Sequence, residues 1–355
     1  MRTNTALVRR RVRDPNLVVQ MVKIGRRSKT DVAILYIKGI ANPALISEVQ
    51  SRLDAIDMDR VMGAAYIEFM IEDNWLSPFP QLQSTERPDE IAAAVMSGRV
   101  AILVDGAPAG IIAPATMNSL MLSPEDYYQR WVVASSIRLI RFLASFLSLI
   151  FPSIYIAMTS FHQEMIPTTL LFSIGTARLT VPFPSIIEAL MMEIVIELFR
   201  EAAIRLPSLI SQAITVVGGL VIGQASIQAG IVSPILLVVI AVTAIGSFAV
   251  PSYDLALSLR LLRFPLMLAA ATFGLYGLVM GIMAILVHLV NLESFGTSYL
   301  APWVPVTVSD FKDTIWKAPL PAMHQRPDYL NPIDVDRLTD RRPEKDRAGQ
   351  NDENA

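Results

Sequence analysis

Residues 184–234 read PSIIEALMMEIVIELFREAAIRLP-SLISQAITVVGGLVIGQASIQAGIVSP. Ser185 and Glu188 stand at capping-box spacing just after Pro184, and Pro207 closes the run. The pattern predicts an amphipathic helix over 184–206. Glu193, Glu197, Glu201 and Arg205 recur every four residues, with Arg200 beside them, so they form one slowly drifting stripe. The other faces are Ile, Leu, Met, Val and Phe. Such a helix lies at a membrane interface or covers a partner helix. Two readings of the stripe stay open. One is local pairing on a solvated face, Glu197 with Arg200 and Glu201 with Arg205. The other is a set of carboxylates, Glu193, Glu197 and Glu201, at the mouth of a cation pathway.

The second half carries no charge from Ser208 to Pro234. On a helical wheel Ser211, Gln212, Thr215, Gly218, Gly219, Gly223 and Ser226 share one broad face. Ser211, Thr215, Gly219 and Gly223 are spaced by four, and Leu209, Ala213, Val217 and Leu220 lie opposite. Small residues at this spacing let helix backbones approach closely in lipid. The competing reading is that Ser211, Gln212, Thr215, Gly219 and Gly223 line a pore. Gln224 and Gln228 fall off the stripe and need other partners, because an unpaired amide in hydrocarbon is costly.

Composition sets the frame. The chain of 355 residues is 53% hydrophobic and only 17% charged, with a mean hydropathy of +0.46. Its long charge-free runs fall mostly between Phe142 and Asn291. The expected class is therefore an α/β soluble N-terminal domain followed by an α-helical multi-pass membrane domain. Nine Lys or Arg against one acid, Asp14, mark residues 1–30. With spans downstream, this reads as a cytoplasmic basic region rather than a nucleic-acid surface. There is no cysteine, which excludes disulfides, thiol nucleophiles and Cys-ligated metals. His162, His288 and His324 show no metal spacing. No apolar signal region opens the chain.

Residues 1 to about 125 form the expected soluble domain. DVAILYIKGI (Asp31–Ile40) reads as a strand, and Asn42-Pro43 starts a helix running to about Ile56. A second helix is expected over Arg60–Asp73, a loop over Trp75–Arg87, and a helix over Pro88–Ser97 that Gly98 stops. Val100–Val104 and Ala109–Ile112 around Asp105-Gly106 read as a hairpin. No phosphate-cradling glycine loop or nucleophile motif is present, so no catalytic residue, metal or cofactor is assigned. The acidic pairs Glu72-Asp73 and Glu86/Asp89 read as caps and salt-bridge partners.

Residues 126–300 are expected to cross the membrane in about four to five spans. Tyr127, Tyr128 and Trp131 suit an interface, and Arg138 and Arg141 are placed to snorkel from the first span, which ends near Phe161. Residues 165–181 are a short or re-entrant segment. Ile235–Val250 is a strong span. Pro251–Arg263 is a short amphipathic piece, and Phe264–Asn291 is the last span, with Gly274, Gly277 and Gly281 suited to close packing. Residues 301–355 read as a charged, Pro-rich cytoplasmic tail, disordered from about Arg341. Both termini are expected in the cytoplasm.

These stretches carry a family resemblance. RTNTALVRRRVRDPNL (Arg2–Leu17), SKTDVAILYIKGIANP (Ser28–Pro43), SPFPQ (Ser77–Gln81), TERPD (Thr85–Asp89), GRVAILVDG (Gly98–Gly106), SPEDYY (Ser123–Tyr128), SFHQEMIPTTLL (Ser160–Leu171) and 184–234 occur in that order. Together they resemble the A subunits of GerA-type spore germinant receptors. The resemblance implies an integral protein of the spore inner membrane. It implies as partners a transporter-like B subunit that senses the nutrient and a lipoprotein C subunit. It also implies a ring-shaped homo-oligomer, a pentamer, that releases monovalent cations on germination. Family members carry a further soluble domain ahead of the RTNTAL motif, which here stands at Met1. A short paralogue, a split gene and a displaced start are the expectations this raises. Ala107 stands where the family motif has Thr.

Two functions compete. In the first the chain is a nutrient-gated, channel-like subunit with its pathway on 208–229. In the second it is a non-conducting scaffold that docks partner subunits. An enzyme reading finds no catalytic constellation to support it.

Overall fold

The computed structural model describes residues 1–207, 219 and 221–338. Five strands build the N-terminal part: β1 (Leu17–Ile24), β2 (Thr30–Ile37), β3 (Gln83–Thr85), β4 (Val100–Val104) and β5 (Gly110–Ala113). They form one antiparallel sheet in the order β1-β2-β4-β5-β3. Successive side chains point to opposite faces of a strand. Val32, Ile34, Val100, Ile102 and Val104 therefore meet helices α2 (Pro43–Asp54) and α3 (Ala64–Ile71) in one core. Ala33, Leu35, Ile37, Ala101 and Leu103 meet α1 (Arg2–Arg11) and α4 (Pro88–Met96) in a second. Both faces are covered, which is why DVAILYI and VAILV read as unbroken apolar runs rather than alternating ones.

Helix starts follow their local chemistry. Asn42 caps α2 by accepting from the Ala44 N–H at 2.9 Å, with Pro43 in the first turn. The basic stretch before residue 30 contains α1 and the edge strand β1, which composition alone did not reveal. β1 is only partly buried, so Gln20 and Lys23 interrupt its apolar pattern. β3 lies inside the expected 75–87 loop and is only three residues long.

The C-terminal part is helical: α5 (Met117–Met121), α6 (Glu125–Tyr128), α7 (Trp131–Ser160), α8 (Thr168–Arg178), α9 (Ser185–Arg205), α10 (Pro234–Ser247) and α11 (Tyr253–Val290), with residues 221–228 also helical. Two of these, α7 and α11, are long and apolar enough to cross a membrane. The helix passes Pro152 without a break in α7.

The expected division at Arg263/Phe264 is not where the chain breaks. α11 starts at Tyr253 and runs through Pro265 to Gly274, which takes φ 63° and ψ −143°. There the chain doubles back. Ser258 Oγ donates to the Pro78 carbonyl, and His288 Nε2 shares a 2.8 Å hydrogen bond with the neighbouring Ser77 hydroxyl. Thirty residues of straight helix would separate positions 258 and 288 by about 45 Å, so both limbs return to one loop. A Cβ at Gly277 would overlap the Ala269 carbonyl oxygen, and one at Gly281 would overlap Leu266. These glycines permit the tight apposition of the limbs.

The chain then returns to the sheet. A short hairpin, β6 (Glu293–Ser294) and β7 (Thr297–Ser298), places Phe295 in the first sheet core, where its N–H donates to Asp73 at 2.8 Å. Residues 301–338 continue across both parts, and Ile333 N–H donates to the Ile40 carbonyl at 2.9 Å. Their Asp313 and Lys317 meet the start of α7.

Candidate functional site

The charged stripe on α9 lies inside the helical half. Pro184 occupies the cap position and Ser185 is the first helical residue, so the expected capping box does not form. Ser185 Oγ instead lies 2.9 Å from the Thr159 hydroxyl and accepts from Arg178 at 2.9 Å. Glu188 is fully buried; its carboxylate pairs with Arg178 at 3.1 Å and accepts the Ser233 N–H at 3.1 Å. Ser233 in turn caps α10 and lies 3.2 Å from the Tyr155 hydroxyl.

One turn and a residue further, Glu193 meets Arg263 of α11 at 2.6 Å, each side chain 1% exposed. Glu193 Oε1, Arg263 Nε and Arg263 Nη2 have no hydrogen-bond partner among the described residues. Glu197 contacts Arg200 at 2.8 Å and Arg260 at 3.4 Å. Arg200 also donates to Ser247 at 2.9 Å and lies over the Phe248 ring. Glu201 pairs with Arg205 at 2.5 Å near the helix end. The carboxylates thus pass from complete burial to 32% and then 59% exposure along the helix. From Glu188 to Glu201 the row covers about 20 Å. Around it pack Tyr155, Met192, Leu236, Ile240 and Met267.

The local pairs of Glu197 and Glu201 match the spacing seen in the sequence. The partners of Glu188 and Glu193 come from other helices. In the sequence Arg178 stands in a short apolar segment and Arg263 at the end of a short amphipathic piece, and neither position names its acidic partner. Of the small-residue face, Ser211, Gln212 and Thr215 lie outside the described residues. Gly219 is helical and exposed, with open space where a Cβ would point. Gly223 is buried, 3.4 Å from a Leu237 methyl for an added Cβ.

Two further clusters join the halves. Arg138 and Arg141 do not snorkel. Arg141 grips Asp126 with both terminal nitrogens, at 2.7 and 2.9 Å, and Arg138 reaches Asp126 at 3.2 Å and Asp313 at 2.8 Å. Tyr127, expected at an interface, donates to Asp313 at 2.7 Å, and Lys317 Nζ caps the Asp126 carbonyl at 2.7 Å. Trp131 packs on Trp316 at 5.3 Å between ring centres. Elsewhere, Glu68 of α3 and Glu72 just after it lie near Asp254 at the start of α11. Burial, then the Asp254 charge, pushes Glu68 up to about 8. Burial and Asp254 raise Glu72 to about 7, against the opposing pull of a backbone hydrogen bond from Gln81. Of the other acids, Asp73 pairs with Arg52 at 2.6 Å and Asp89 with Arg87 at 2.9 Å. Among the described residues no group of three or more His, Asp or Glu is arranged to hold a metal ion.

The profile of the Bacillus/Clostridium GerA spore germination protein family matches residues 1–329. The chain belongs to the GerA family. Spore germination protein KA of Bacillus subtilis (strain 168) is 46% identical over 345 residues, covering 97% of this chain and 63% of that protein. The membrane protein YfkQ of the same organism is 45% identical over 327 residues, covering 92% of this chain and 64% of its own length. The chain therefore spans a little under two thirds of these curated GerA relatives. A crystal structure of the N-terminal domain of the A subunit of the Bacillus megaterium spore germinant receptor GerK3 is 47% identical. It covers 33% of this chain and 93% of that one, with a TM-score of 0.28, so it bears on sequence and not on fold.

Proposed function

We propose that this chain acts as the A subunit of a nutrient germinant receptor and contributes, as a homo-oligomer, a cation pathway through the spore inner membrane. In this reading residues 1–125 form a cytoplasmic domain and 126–300 cross the membrane several times. Residues 301–355 form the cytoplasmic tail. The observation that carries it is the α9 row: four carboxylates, graded from buried to exposed, run with their arginine partners through a helical half whose core is built of apolar side chains. Ionisable groups in such surroundings are costly and are kept for transport or switching. The face of Ser211, Gln212, Thr215, Gly219 and Gly223 lines the pathway. Glu193, Glu197 and Glu201 draw cations towards its mouth when their arginine pairs part. A pentameric ring is the assembly proposed, with a transporter-like B subunit and a lipoprotein C subunit as partners.

Two observations favour a second reading. Each α9 carboxylate is matched by an arginine, and Gly223 packs against Leu237. A neutralised row of that kind also serves a non-conducting scaffold that docks the partner subunits.

Potassium efflux from liposomes holding the purified protein separates the two. Gly219→Trp projects into open space in the single chain, so the fold of the chain is expected to survive it, and assembly is measured alongside efflux. The pathway reading expects it to abolish efflux. Unchanged efflux, or an oligomer that assembles and never conducts, supports the scaffold.

A further inference from the structure

Residues 301–338 cross the sheet without sealing against it. Between them, α4 and the 118–128 stretch lies a cavity of about 620 Å³, a size that suits a small molecule. Arg99, immediately before β4, forms part of its wall and is 9% exposed. One terminal nitrogen donates to Gln83 Oε1 at 3.1 Å and the other to the Tyr329 hydroxyl at 3.1 Å. Both partners are neutral, and among the described residues no carboxylate lies within ion-pair distance of Arg99. A guanidinium does not give up its proton, and a buried charge without a counter-charge is costly.

The acids of the same wall are already engaged. Glu90 accepts from the Gln83 amide at 2.6 Å and from the Thr85 hydroxyl at 2.5 Å, so Gln83 holds it one side chain away from Arg99. Asp89 is taken by Arg87 and Asp313 by Arg138. Asp310, also in the wall, has no ion pair among the described residues, and its carboxylate accepts the N–H groups of Asp328 at 3.1 Å and Tyr329 at 3.3 Å. The cavity thus offers a guanidinium without a counter-charge, while each of these four acids is held by side-chain or backbone donors. A second group in the wall has an unmet acceptor: Asn118 is 4% exposed, its Nδ2 donates to the Asp313 carbonyl at 3.2 Å, and its Oδ1 accepts no hydrogen bond among the described residues. Ile112, Leu122 and Met323 supply apolar surface beside these groups.

We propose that this cavity binds a small organic anion. Its carboxylate or phosphate pairs with Arg99, and a hydroxyl or N–H on its body donates to Asn118 Oδ1. Tyr329 and Asp313 belong to the C-terminal segment, and Asp313 also holds Arg138 of α7. An anion seated on Arg99 therefore tightens the segment over the sheet at the place where it touches the helical half. The site is independent of the pathway on α9 and 208–229, and its test needs no ion flux.

The test is calorimetric titration of the intact chain in detergent with three ring compounds of similar size. These are 4-hydroxybenzoate, 4-hydroxyphenyl phosphate and, as the cationic control, tyramine. Hydrogen exchange of residues 320–330 is followed in the same samples. At least one anion is expected to bind at or below the low-millimolar range and to slow exchange there, with tyramine inert. Which of the two anions binds assigns the carboxylate or the phosphate. Arg99→Gln is expected to weaken binding about tenfold or more. Ala94→Trp, which fills the cavity and leaves Arg99 in place, is expected to abolish it and guards against misfolding of the arginine variant. Binding of neither anion, equal binding of tyramine, or unchanged affinity in both variants overturns the proposal.

Discussion

Glu193 and Arg263 meet at 2.6 Å with 1% exposure each, although seventy positions separate them in the chain. The pair ties α9 to the first limb of α11. Removing one member strands a buried charge, which costs about 3–5 kcal/mol. Glu193→Ala is expected to lower the thermal midpoint of the detergent-solubilised protein sharply. The double replacement Glu193→Leu with Arg263→Met is expected to restore most of it, because an apolar pair of similar volume avoids the desolvation cost. A double variant no better than the single would show that the pair is not the link.

The reversal at Gly274 makes a second prediction. Its φ of 63° and ψ of −143° suit glycine alone, and an added Cβ would press on the His162 ring. Gly274→Ala should cost about 1–3 kcal/mol and loosen the contacts of both limbs with Ser77 and Pro78. Hydrogen exchange of 255–260 and 286–290 would rise together in the variant. Exchange confined to one limb would argue for a simple kink.

Acid should stabilise the contact between α3 and α11. Folded Glu68 holds its proton up to about pH 8, whereas an ordinary glutamic acid loses it near 4.5. Between those values the folded state binds more protons than the unfolded state, so stability falls as pH rises. Glu72, raised to about 7, adds a slope of the same sign. The groups facing this pair are Asp73 and Asp254, both acidic. Glu68→Gln should flatten the dependence of the thermal midpoint between pH 5 and pH 8. A midpoint that rises over that range in the parent protein would contradict the assignment.

Asp313 ties the C-terminal segment to α7 through Arg138 and Tyr127. Asp313→Ala leaves the buried guanidinium with Asp126 as its sole acidic partner among the described residues. Limited proteolysis should then cut residues 301–338 several-fold faster, with the sheet part still resistant. Equal rates would mean that the contacts of Ile333 and Lys317 hold the segment unaided.

Much of this architecture was legible where the signal is local. Asn42-Pro43 marked a helix start, the β4–β5 hairpin showed in its turn residues, and Glu197–Arg200 and Glu201–Arg205 followed from helical spacing. What depended on distant partners was not legible. Arg141 was read as a snorkelling residue because its partner Asp126 lies beyond the turn before α7, and nothing in spacing links them. Gly274, Gly277 and Gly281 announced close packing, but the same spacing serves two separate helices or one chain folded on itself. Glu188 looked like half of a capping box because Ser185 stands three residues before it. Arg178 and Ser233 claim it instead.

The absence of cysteine allows the central claim to be probed one position at a time. Single cysteines at Ser211, Thr215, Gly219 and Gly223, with Ala213 and Val217 as controls on the opposite face, would each be the sole thiol of the chain. Single-channel current through the reconstituted oligomer would be recorded while a small cationic thiol reagent is added from the water phase. The account predicts cation-selective steps that the reagent blocks at the four small-face positions and leaves untouched at 213 and 217. An assembled protein that never conducts, or block without regard to face, would contradict it.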